Sequence, residues 1–213
     1  MTLRPTVVSP ANMRNLKPRN KQAGPEKRMV IDLKNASQWR AIHDPAVNGV
    51  VLRRRPIRAI ETYFNEAPDE VFQPHEFTCA QSRLRTELEK HLLLKSEEDE
   101  LRRKFLINDI TNWSRVLITQ ARSRDYRFAF CSELPQKFQS DAGALKMIVT
   151  YRAMEITFRQ PKDSDERSFS PYGVALFRGQ SYEAPVEWQA QRKEEQAFYL
   201  TIESALKRGL RGR

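Results

Sequence analysis

The chain has 213 residues, of which 39% are hydrophobic and 30% charged, and a formal net charge of +10. This composition suits one domain with a packed core and excludes a wholly disordered chain. No stretch approaches the roughly 18 uncharged apolar residues of a membrane span. Residues 1–28 carry seven basic residues and one acid, residues 204–213 carry four basic residues, and residues 29–203 carry 26 of each sign. The excess that would point to nucleic acid therefore sits on the ends, and the body is formally neutral. Cys79 and Cys131 lack a second ligand pair, which excludes a cysteine-rich zinc site and suits reduced thiols in the cytoplasm. The basic start has no apolar core of a secretory signal, and Pro5, Pro10, Pro18 and Pro25 interrupt any transit-type helix.

In chain order, residues 1–28 read as a disordered basic tail. Residues 29–123 read as mainly helical. Ser37 is placed to cap a short turn through Trp39 and Ile42, and Asn48-Gly49 leads into a short strand, Val50-Val51-Leu52. Pro56 sits at the first turn of a helix carrying Ile57, Ile60, Tyr63 and Phe64. Leu84, Leu88 and Leu92 predict an amphipathic helix over 80–95. Ser96 before Glu97, Glu98 and Asp99 is a helix start, and Leu101, Phe105, Ile110, Trp113 and Leu117 carry that helix to about Ala121.

After residue 123 the hydrophobic period falls to two. Tyr126–Cys131, Leu145–Arg152 and Met154–Arg159 each alternate as half-buried strands. Residues 160–171, with Pro161 and Pro171, read as a loop. Val174–Phe177 is a buried strand ending at Gly179. Residues 194–208 fit either a strand through Phe198, Leu200 and Ile202 or a helix. Residues 204–213 form a basic C-terminal tail. Helices first and strands second predict one α+β domain over 29–203, its helical part 29–123 packed on an antiparallel part 124–203.

Seven glycines supply neither phosphate-binding glycine pattern, and neither a zinc-protease nor a nucleophile-elbow motif is present. The three histidines, His43, His75 and His91, all precede the strand region. Each reads as a helix-end, loop or helix-edge residue. Arg53, Arg54 and Arg55 end a strand, which places alternate guanidinium groups on opposite faces. They suit ion pairs with the acids of 61–70 or the binding of an anionic ligand.

Several steps of the sequence resemble an uncharacterised bacterial family, domain of unknown function 1826. These are Lys137–Asp141, Thr150-Tyr151-Arg152, Glu155–Phe158, Val174–Gly179, and the opening Asn48–Arg54 with Pro56. The likeness spans about residues 35–203. It implies a cupin-like, double-stranded β-helix barrel, with a His-x-Asp and a distal His similar to the iron triad of non-haem oxygenases. Asp141 falls on the family's acid. Gln139 falls on its first His, and Glu187 or Trp188 on its distal His. Ala153-Met154-Glu155 replaces the family's Gly-Pro-Gly turn. The implied set of Gln139, Asp141 and Glu187 offers only oxygen donors, a poor match for Fe(II).

The resulting expectation is a divergent, non-catalytic binding or interaction module without cofactor or metal. Its candidate pocket comprises Gln139, Asp141, Tyr151, Arg152 and Glu187, and its anion-binding candidates are Arg53, Arg54 and Arg55. The partner is a protein or a small ligand, and no membrane is involved. Two alternatives stand beside it: a metal-dependent oxygenase-like enzyme with an unusual ligand set, and a nucleic-acid-associated or assembly protein acting through its basic ends.

Overall fold

The computed structural model describes residues 29–121, 123, 125–131, 135–160, 165–169, 171–182 and 184–204. The tail expected over 1–28 and all but the first residue of the one expected over 204–213 lie outside the described residues. Among the described residues ten strands form two sheets, with three α-helices and short 3-10 turns between them.

The N-terminal half is less helical than its hydrophobic pattern predicts. It holds β1 (Met29–Leu33), β2 (Val47–Arg53), α1 (Arg58–Glu66), β3 (His75–Ala80), α2 (Gln81–His91) and α3 (Glu100–Ala121). Asn35, rather than Ser37, caps the 3-10 turn through Trp39, its side-chain oxygen accepting from the Ser37 amide at 3.0 Å. α2 stops four residues short of the predicted end, where Leu92 leaves helical geometry at φ −85° and ψ 79°.

The remaining strands are β4 (Asp125–Phe130), β5 (Leu145–Arg152), β6 (Met154–Arg159), β7 (Arg167–Phe169), β8 (Gly173–Arg178), β9 (Glu187–Arg192) and β10 (Phe198–Ser204). The segment 194–208 thus resolves as strand, not helix, over Phe198–Ser204. β7 lies within the stretch expected to be loop. The large sheet has the order β1-β2-β8-β5-β10-β4-β3 and the small one β7-β6-β9. β1 runs parallel to β2, so the large sheet is mixed rather than purely antiparallel.

From β4 onward the pairing is that of one long hairpin folded over on itself. β4 pairs with β10, Gln139 bridges to Trp188 of β9, β5 pairs with β8, and β6 pairs with β7. Counted in chain order with Gln139 as the second strand, first pairs with last, second with seventh, and so inward. β1 and β2 extend the large sheet on one side and β3 on the other.

Strand alternation gives the large sheet two buried faces. On one, Met147, Val149, Tyr151, Val174, Leu176, Leu200 and Ile202 join Ile60, Leu84, Leu88, Leu106, Ile110 and Leu117 of the three helices. On the other, Val51, Ile148, Ala175 and Phe177 meet Ile156, Phe158, Phe169 and Trp188 of the small sheet. Each buried aromatic ring there removes enough apolar surface from water to stabilise the fold by about 1.5–3 kcal/mol. Among the described residues no helix is long and apolar enough to cross a membrane.

Candidate functional site

Asp141 lies in the turn entering β5, and the turn is clamped. Gln180 donates its amide to the Asp141 carbonyl at 2.7 Å, and Gly179 donates to Ala144 O at 3.0 Å. A side chain at Gly179 would overlap the Asp141 and Gly143 carbonyls, so only glycine allows this approach. The carboxylate is 12% exposed, and both of its oxygens are engaged. Lys146 Nζ donates to Oδ1 at 2.6 Å, and Trp188 Nε1 donates to Oδ2 at 2.7 Å. The ammonium also stands 5.4 Å from the Trp188 ring centre and 3.8 Å from Glu203.

The neighbouring candidates are set by strand alternation. Gln139 exchanges two backbone hydrogen bonds with Trp188, at 2.9 and 3.1 Å, and is itself exposed. Trp188 points inward against Phe158 and Phe177. Glu187, one residue earlier, takes the other face and pairs with Arg159 at 2.9 Å. The side chain that reaches Asp141 from β9 is therefore the Trp188 indole rather than the Glu187 carboxylate.

This set does not fit iron. An indole N–H only donates hydrogen bonds, and an ammonium repels a cation. Fe(II) at Asp141 would have to displace Lys146 from a charge-assisted bond and would find no imidazole nearby. Among the described residues no group of three or more His, Cys, Asp or Glu is placed to share a metal ion.

Tyr151 and Arg152 lie at the far end of β5 from Asp141 and do not join it. Tyr151 faces the helices and donates its hydroxyl to Asp109 Oδ2 at 2.8 Å. Arg54 Nη1 reaches both Asp109 oxygens at 2.8 and 2.9 Å, with its guanidinium 4.8 Å from the Trp113 ring centre. Trp113 Nε1 donates to the same carboxylate at 3.1 Å. Burial, and then the Asp109 charge, hold the Tyr151 phenol protonated.

The arginine run splits between faces, and its partners differ from the expected acids of 61–70. Arg54 pairs with Asp109, whereas Arg53 pairs with Asp32 at 3.6 Å and donates to Ser168 O at 2.7 Å. Arg55 is exposed. Asp109 sits mid-helix, 55 positions from Arg54, and nothing local in the sequence links the two. His75 and His91 come together from β3 and α2 with ring centres 3.3 Å apart, while His43 Nε2 meets Gln120 Oε1 at 2.6 Å.

The family described as "Protein of unknown function (DUF1826)" matches residues 34–191. The chain belongs to that family. No curated protein matches it. Among solved structures, a full-length Neurospora crassa protein in complex with alpha-KG and 5-formyluracil is 10% identical, with 83% of this chain and 84% of that chain covered and a TM-score of 0.45. JOX2 in complex with 2OG, Fe and JA is 10% identical, with coverages of 82% and 73% and a TM-score of 0.39. A cupin-like protein from Thermotoga maritima is 10% identical, with coverages of 38% and 57% and a TM-score of 0.25.

Proposed function

We propose that this chain is a cupin-like barrel protein that binds a partner or ligand and carries out no iron chemistry. The nested strand pairing from β4 to β10, first with last and second with seventh, supports the barrel. The observation that carries the non-catalytic part is the Asp141 carboxylate, whose two oxygens are taken by Lys146 and Trp188. The family's acid thereby becomes a strut that ties the β5 turn to β9. The aromatic packing of Phe158, Phe169, Phe177 and Trp188 between the sheets supports the same conclusion. The buried thiols Cys79 and Cys131, whose pKa values burial raises to about 11 and about 12, suit a reducing cytoplasm.

The test is oxygen uptake by the full chain with Fe(II) and 2-oxoglutarate, the co-substrate class named with the Neurospora crassa structure. Uptake should equal that of Fe(II) and 2-oxoglutarate without protein. Catalytic uptake abolished by Asp141→Ala would overturn the proposal.

A further inference from the structure

A concavity opens on the helical side of the large sheet, at the end of β5 remote from Asp141. It is a cleft of about 480 Å³, bounded by α1, by the turn after β5 and by the turn before β8. That size is within the roughly 300–1,000 Å³ of small-molecule sites.

The backbone around it is unusual. Among the described residues four non-glycine residues have left-handed backbone, and two of them, Ala153 at φ 51° and Tyr172 at φ 66°, line this cleft. Tyr172 follows Pro171 in a turn, at a position where positive φ normally selects glycine or asparagine. The available glycine is one residue later, at Gly173, where a side chain would overlap the Phe169 ring. Tyr172 therefore bears a conformation that its type disfavours, and its ring stands edge-on to Tyr151 in the cleft wall, 6.2 Å between centres. Surrounding bonds hold it there. Its amide donates to Thr150 O at 2.9 Å, and its carbonyl accepts from Arg54 Nε at 3.0 Å. Strain maintained in this way is concentrated at ligand sites.

The facing wall is equally fixed. Arg152 Nη1 donates to Phe64 O at 2.7 Å and to Asn65 Oδ1 at 3.1 Å, which ties β5 to the last turn of α1. Three polar groups are left unused. Neither Arg58 nor Glu61 has a side-chain hydrogen-bond or ion-pair partner among the described residues, and the Tyr172 hydroxyl makes no hydrogen bond there. Arg58 and Glu61 are three apart on α1 and so share the face that lines the cleft. Burial, and then the nearby Glu61 carboxylate, keep the Tyr172 phenol protonated and able to donate.

We propose that this cleft binds a small zwitterion, an α-amino acid. Its carboxylate pairs with Arg58 and its ammonium with Glu61. A simple anion would meet the unpaired Glu61 and a simple cation the unpaired Arg58. A ligand carrying both signs satisfies both. The inference rests on the chain being a binding protein and uses no residue of the Asp141 cluster.

The experiment is calorimetric titration of the full chain with L-phenylalanine, 3-phenylpropionate and 2-phenylethylamine. L-phenylalanine should bind about tenfold or more tightly than either analogue, a difference of about 1.4 kcal/mol. Arg58→Gln should abolish its advantage over the amine, and Glu61→Gln its advantage over the acid. Both residues are on the surface, so both variants should fold. Absence of L-phenylalanine binding, equal binding of either analogue, or indifference to both substitutions overturns the proposal. Any of these leaves the oxygen-uptake result at Asp141 unchanged, so the two conclusions fail separately.

Discussion

Removing the Asp141 carboxylate strands two donors at once. In Asp141→Ala the Lys146 ammonium, 16% exposed, loses its 2.6 Å partner, and the Trp188 indole N–H, almost wholly buried, loses its acceptor. Breaking a buried ion pair by deleting one member costs about 3–5 kcal/mol, and orphaning a buried N–H costs about 1–3 kcal/mol. The two share one carboxylate, and Glu203 remains 3.8 Å from the ammonium, so they do not sum. The expected loss is about 2–4 kcal/mol. Asp141→Asn, which retains an acceptor for Trp188 but no charge, should fall between. Adding Lys146→Met to Asp141→Ala should recover at least about 1 kcal/mol, because it removes the stranded charge. Urea unfolding at neutral pH, followed by tryptophan fluorescence, measures all four chains. A carboxylate kept free for a metal ion would be neutral or stabilising to remove. A loss below about 0.5 kcal/mol, or a double variant no better than the single one, would refute the strut argument.

Asp109→Ala should destabilise by about 3–5 kcal/mol in the same assay, since it strands the largely buried Arg54 along with Tyr151 and Trp113. Gly173→Ala should lower the urea midpoint by the equivalent of about 1–3 kcal/mol, because its Cβ enters the Phe169 ring. Burial, then the adjacent His75, hold the His91 pKa below the ordinary histidine value, with Lys90 adding to the effect and Glu87 opposing it. The unfolded chain then takes up a proton near pH ~6.5 that the folded chain resists, so stability is full above that pH and falls as the pH drops through it. The slope should flatten in His91→Asn. Any affinity for DNA should disappear when the chain is cut to 29–203, whose charges balance, and should fall steeply with salt in the full chain.

β4, β5 and β6 are legible because their apolar residues recur with period two, β8 because it is an unbroken apolar run buried on both faces, and the helices around Ile60, Leu84 and Ile110 because each buries one face. β9 is not. Its sequence, Glu-Trp-Gln-Ala-Gln-Arg, offers only Trp188 and Ala190 to the interior and polar groups elsewhere. β1 and β3 are short edge strands beside helical patterns, and their pairing with β2 and β4 is set by tertiary contacts rather than by period. The candidate site shows the same limit. Asp141 is visible as the family's acid, but the choice between Glu187 and Trp188 depends on strand register, where a one-residue slip exchanges the faces. Lys146 reads as an ordinary outward residue of β5 until its neighbours are in place. The pairing of Arg54 with Asp109 crosses from strand to helix without a local signal, as does the strained turn that presents Tyr172.

Anaerobic Fe(II) titration of the unmodified full chain, followed by calorimetry, tests the central claim most directly. With Lys146 and Trp188 holding both oxygens of Asp141, no saturable binding in the micromolar range should appear, and Asp141→Ala should give the same trace. Stoichiometric micromolar binding that disappears in Asp141→Ala would contradict the account.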